Sequence, residues 1–206
     1  MIKGIIILLL WSVNYVIMTT VINILLMGAL HICFSWKCRK KAFVITKKNR
    51  IDLQEGNQCA GFSAAYVLRH WKIEKDGKRL YEAMSGKMSD GCVYPKGIRN
   101  LFSQEGFKVK YCAGNITALK NEVSQGNPVV VMIRTQTGQN GLHYVPVVGY
   151  DEQYIFMAES LGNFINCDSP YFNRKTAVRE FKKLWNTSML KMPLYRNTYI
   201  AVQYSK

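Results

Sequence analysis

An α+β domain behind one membrane-spanning helix is the architecture this sequence predicts, and three features carry it. The run from Gly4 to Trp36 contains no Asp, Glu, Lys or Arg and is dense in Ile, Leu, Val and Met, which exceeds the roughly 20 residues that cross a bilayer. Helical periodicity dominates the next part of the chain and strand-like runs dominate the last, the order expected when helices are segregated from an antiparallel sheet. A length of 206 residues, 49% of them hydrophobic, leaves enough chain for one domain of ordinary size beside the anchor.

The anchor comes first and is assigned to residues 1–36. A cleaved signal peptide, the competing reading, has an apolar region of only about 7–15 residues and a small-residue cleavage site, for which Ala29 is a poor match. Two spans of ~20 residues each would need more chain than the run has. Lys3 stands alone before the run, whereas seven basic and no acidic side chains follow it in residues 37–50. Flanking Lys and Arg are retained on the cytoplasmic side, so the domain of residues 51–206 is expected in the cytoplasm. The basic segment 37–50 supplies much of the formal net charge of +15 and is expected to be a juxtamembrane linker resting on anionic lipid headgroups. No zinc-finger, recognition-helix or aromatic-basic pattern accompanies it, so nucleic acid is not expected as a partner.

The soluble part alternates recognisably. Ala60, Ala64, Val67, Leu68 and Trp71 recur at helical spacing, so Cys59 opens a helix that ends near Trp71. A short helix is expected over 78–84 and another over 96–104, with Pro95 at its first turn. FKVKYCA reads as a strand, residues 116–124 as a helix capped by Asn115, and PVVVMIRT as a fully buried strand. The loop QTGQNG leads into HYVPVVGY, which pairs with QYIFMAE across the turn at Asp151 and Glu152. A polar stretch, a helix over 178–185 and the strand NTYIAVQY complete the order.

Few side chains are suited to catalysis. The six cysteines, at 33, 38, 59, 92, 112 and 167, form no CxxC pair and no zinc-like spacing, so neither a metal nor another cofactor is expected, and a reducing cytoplasm disfavours a disulfide framework. Of the three histidines, His31 lies in the apolar segment and His70 lies at the far end of the Cys59 helix, more than ~15 Å along the axis at 1.5 Å per residue. His143, which opens a strand behind a glycine-bearing loop, is therefore the base to pair with Cys59. A thiol at a helix N-terminus meets unpaired N–H groups and the positive end of the dipole, and a neighbouring imidazolium further favours the thiolate. Gln54 is placed to offer its amide to an oxyanion beside the Cys59 N–H. Glu159, at the end of the second hairpin strand, is placed to orient the imidazole, with Asp151 and Asp168 as fallback partners.

These residues carry a resemblance. QEGNQCAGFSAAYVL and LHYVPVVGYDEQYIFMAES resemble the papain-like cysteine peptidases, specifically the bacteriocin-processing, double-glycine-leader peptidase family (cysteine peptidase family 39) and its stand-alone relatives, over residues 51–204. The resemblance implies a papain-like fold and a thiol peptidase in which Gln54 is the oxyanion donor, Cys59 the nucleophile, His143 the base and Glu159 its orienting carboxylate. It implies a peptide or protein substrate, cut after small residues such as a double glycine. Two departures stand out: the family has Asp-Cys-Gly where this chain has Gln58-Cys59-Ala60, and Asp-Pro where it has Glu159-Ser160. No G-x-x-x-x-G-K-[ST] loop occurs, so coupled export is expected to need a partner. A peptidase-like module that only binds peptides at the membrane is the alternative function, and amidase or acyl-transfer chemistry would use the same residues.

Overall fold

The computed structural model of the chain describes residues 2–138, 141–188 and 195–204. Helix α1 (Ile2–Met27) would be roughly 39 Å long at 1.5 Å per residue, enough for a hydrocarbon core of about 30 Å. Its stretch Gly4–Leu25 has a mean hydropathy of 2.2 and is mostly exposed, Asn23 excepted, so the side chains that water tolerates least, Leu8 and Trp11 among them, face outward. The helix stops where Gly28 takes a φ of +84°, and Gly28 N–H closes the last turn on the Ile24 carbonyl at 2.9 Å.

That stop corrects two expectations. The apolar helix does not run to Trp36, because His31–Cys33 forms strand β1, paired in parallel with the sheet at Cys112–Gly114. Nor is 37–50 a free linker. Phe43–Val44 forms strand β2 and pairs with Tyr150 and Gly149, and Ile45 beside it is buried. A few apolar side chains among the lysines dock this segment onto the domain.

Three helices form one lobe: α2 (Cys59–His70), α3 (Gly77–Ala83) and α4 (Pro95–Gln104). The Asp76 side chain accepts from Arg79 N–H to cap α3. The small residues of α2 let α3 approach closely: a Cβ on Gly61 would lie 2.2 Å from the Gly77 carbonyl oxygen.

The other lobe is a sheet built from β3 (Phe107–Gly114), β4 (Val129–Arg134), β5 (Leu142–Tyr150), β6 (Tyr154–Met157), β7 (Arg174–Ala177) and β8 (Thr198–Tyr204). Among the described residues its order is β1-β3-β8-β4-β5-β6-β7, with β2 also on β5. Every pairing except β1 with β3 is antiparallel. Helices α5 (Ile116–Val123) and α6 (Val178–Trp185) cover the face away from the helical lobe, and Asn115 caps α5 by accepting from Ala118 N–H.

Strand β4 explains the packing. Val130 and Met132 point into the core shared with α2 and α4, whereas Val129, Val131 and Ile133 point into the core shared with α5 and α6. Successive side chains face opposite sides of a sheet, so a strand covered on both sides reads as an unbroken apolar run. The chain is thus a mixed α+β protein of papain-like layout with an N-terminal apolar helix long enough to span a membrane.

Candidate active site

Cys59 is the first residue of α2 and only 5% exposed. The first N–H groups of a helix lack intrahelical partners, and Gln58 before it supplies no side-chain cap, so the positive end of the dipole acts on the thiol. One helical turn on, Ser63 Oγ donates to the Tyr144 carbonyl at 2.9 Å. This bond fixes α2 against β5 directly beside the Cys59 side chain and the neighbouring His143.

His143 is buried at the start of β5, paired with Ile133 of β4. Its Nε2 bonds Glu159 Oε1 at 2.7 Å, and the ring shares the cleft wall with Cys59. Burial favours the neutral ring, but Cys59 and Glu159 outweigh it and raise the His143 pKa to about 9. The imidazole is therefore held in its charged form at neutral pH, with a cysteine and a carboxylate as its neighbours.

Glu159 is fully buried and amply supported. Its Oε1 also accepts the Leu161 N–H at 2.8 Å, and its Oε2 accepts from Arg174 Nη1 at 2.6 Å. Burial opposes ionisation, yet the bonds from His143, Leu161 and Arg174 hold the carboxyl below its ordinary pKa. Asn173 grips the Glu159 backbone from both sides, accepting its N–H at 2.7 Å and donating to its carbonyl at 2.8 Å. The longer side chain at this position reaches the imidazole with one oxygen and leaves the other for Arg174.

Gln54 is tied into the same network. Its N–H donates to the Ser160 carbonyl at 2.9 Å, its Oε1 accepts from Ser160 Oγ at 2.6 Å, and its Nε2 donates to the Gly56 carbonyl at 2.6 Å. An amide nitrogen carries two hydrogens, so one remains beyond the bond to Gly56. The Ser160 hydroxyl thereby fixes the face of the Gln54 amide.

Gln54, Cys59 and His143 line one cleft of about 540 Å³ between the two lobes. Met88, Val93, Tyr94, Met132 and Leu142 make its walls largely apolar, and Asp90 brings a carboxylate to the rim. Ile22 and Asn23 of α1 close one side, which places the end of the apolar helix beside the thiol. Cys92 also lines the cleft, but burial and the Asp90 carboxylate push its thiol up to about 11, so it stays protonated at neutral pH.

Other expected groups lie elsewhere. His70 is buried at the opposite end of α2, where burial and the nearby Lys47 charge lower its pKa to about 4, and its carbonyl accepts from Lys47 Nζ. Asp151 caps the β5–β6 turn through Gln153 N–H and Tyr154 N–H, and Asp168 is exposed. Arg174 and Asn173 were not singled out from sequence, and Ser160 was noted only as a departure from the resemblance, without a partner. Arg174 lies in a strand, RKTA, without apolar alternation.

The Peptidase_C39 like family matches residues 42–189. Solved structures share the fold. The peptidase domain of Streptococcus ComA, a bi-functional ABC transporter, superposes with a TM-score of 0.58 at 14% identity, over 77% of this chain and 99% of that one. A double glycine motif protease from the AMS/PCAT transporter, solved with its leader peptide, gives 0.52 at 14%, over 79% and 98%. A Carica candamarcensis cysteine protease bound to E-64 gives 0.57 at 13%, over 81% and 100%. No curated protein matches the sequence.

Proposed function

The chain belongs to the C39-like peptidase family, and from that premise we propose that it is a membrane-anchored cysteine peptidase that cuts leader-type peptides after small residues. The observation that carries the proposal is Cys59 at the start of α2 lining one cleft with His143, whose ring is bonded to Glu159 and through it to Arg174. In this reading the Cys59 sulfur attacks the scissile carbonyl, and the oxyanion receives the Cys59 N–H and the remaining Gln54 amide hydrogen. The His143 imidazolium gives its proton to the leaving amine, which leaves a thioester. His143 then takes a proton from water, whose oxygen displaces Cys59 and releases the acid.

The same proposal takes α1 as the anchor and the chain from β1 onward as the peptidase domain. The basic residues after α1 support a cytoplasmic domain in contact with anionic lipid. The place of Ile22 and Asn23 in the cleft wall favours substrates presented close to the membrane surface, and leader peptides handed to an export partner fit that position. The full chain, recovered at its uncleaved mass from the membrane fraction, should cut a double-glycine leader peptide after the second glycine, and Cys59→Ala should abolish cutting. Peptide that binds with wild-type affinity but is never cut would replace the peptidase with a peptide-holding module.

A further inference from the structure

Away from the cleft, two thiols meet at the sheet edge that follows the apolar helix. Cys33 Sγ lies 2.7 Å from Cys112 Sγ, against an S–S bond of roughly 2.05 Å. The register explains the meeting. His31 of β1 stands opposite Cys112 of β3 and Cys33 opposite Gly114, so Cys33 and Cys112 share one face of the sheet at diagonal positions. Gly114 allows the approach, since a Cβ there would lie 2.5 Å from the Cys33 carbonyl oxygen. Cys112 is fully buried and Cys33 half-buried, both against the core shared with α5 and α6. Cys59 belongs to the core on the opposite face.

We propose that Cys33 and Cys112 form a redox-active pair that closes to a disulfide and locks the edge strand β1, and with it the root of α1, to the sheet. β1 has only three residues and exposes Ile32 on its outer edge, so it is the segment that gains most from a covalent tie. Neighbouring Cys38 does not compete, because its sulfur bonds Tyr150 Oη at 3.8 Å and the Lys40 carbonyl at 3.0 Å.

The oxidant is a small disulfide such as oxidised glutathione. Burial, followed by the bond to Cys33, pushes the Cys112 thiol up to about 12, so half-buried Cys33 reacts first. Its thiolate attacks one glutathione sulfur and expels the other glutathione as a thiolate. Cys112 sulfur then attacks Cys33 sulfur, its proton passing to the departing second glutathione. Two protein thiols are oxidised and one glutathione disulfide becomes two thiols.

The test is thiol mapping on the full chain in detergent micelles, reduced and then equilibrated with oxidised glutathione, alkylated and digested without reductant. The expected product is one cross-linked peptide pair joining Cys33 to Cys112, with Cys59 absent from every cross-linked peptide. Because the bond closes a loop of 79 residues, the oxidised protein should melt about 5–10 °C above its reduced form, and Cys33→Ser should show no such difference. Full alkylation of Cys33 and Cys112 after oxidation, or their recovery joined to other cysteines, would overturn the pair.

Discussion

At His143 two opposing effects meet in one ring: burial disfavours the charge that Cys59 and Glu159 together demand, and the demand wins. Since the folded pKa of about 9 exceeds the ordinary value of 6.5, the stabilisation is fully present below pH 6.5 and is lost as pH rises through 9. The melting-temperature advantage of wild type over His143→Ala should therefore shrink between those pH values; an advantage that grows there contradicts the assignment. In the proposed mechanism Ser160 acts one step removed from the chemistry, since it holds the Gln54 amide through its 2.6 Å bond. Loss of an oxyanion donor costs about 10²–10³-fold in kcat, so Ser160→Ala, which loosens the donor without removing it, should lower kcat about tenfold. KM and Cys59 alkylation should stay unchanged, and a raised KM with unchanged kcat would assign Ser160 to substrate binding instead. Cys59, His143 and Glu159 were legible as candidates because each sits at or beside a boundary that periodicity marks, a helix start or a strand end, whereas Gln54 was read from its place in the loop ahead of Cys59. Arg174 was not, since an arginine in a polar strand announces its partner only after the sheet brings Glu159 across from it.

The helix α2 and the strand β5 carry the site, and their mutual placement depends on how closely α2 packs against its neighbours. In isolation Gly61→Ala should strengthen α2 by about 1 kcal/mol through helix propensity. Here the added Cβ would lie 2.2 Å from the backbone oxygen of Gly77, a contact that only separation of α2 and α3 relieves, so overpacking of about 1–3 kcal/mol opposes the gain. Urea unfolding should show net destabilisation; a net gain would mean that α3 yields freely. Most elements were readable from sequence for the same reason that these two pack: their apolar positions recur at 3.6 or 2 residues over a long enough stretch. The strands that escaped, β1, β2 and β7, have three, two and four residues. No period develops over so short a run, and lysines or the adjoining apolar segment masked their few core-facing side chains. The expected end of the apolar helix at Trp36 failed because absence of charge marks a segment as apolar without saying where its helix stops, which Gly28 decides.

Across the whole molecule, the helical lobe supplies the thiol, the sheet lobe supplies the imidazole and the carboxylate bonded to it, and the end of the apolar helix walls the cleft between them. Assembly of the two lobes is what makes one cysteine out of six different from the rest, so reactivity of that thiol reports on the entire arrangement. The direct measurement is site-resolved iodoacetamide labelling of the full chain in detergent from pH 5 to 9, on wild type and His143→Ala. At pH 6 Cys59 should label at least about tenfold faster than the other five cysteines, because reactive thiols are those set beside a cationic partner, and His143→Ala should erase that lead. Slow labelling of Cys59, on a par with the other cysteines and indifferent to His143→Ala, would contradict the catalytic pair and leave the fold as a scaffold for holding peptides.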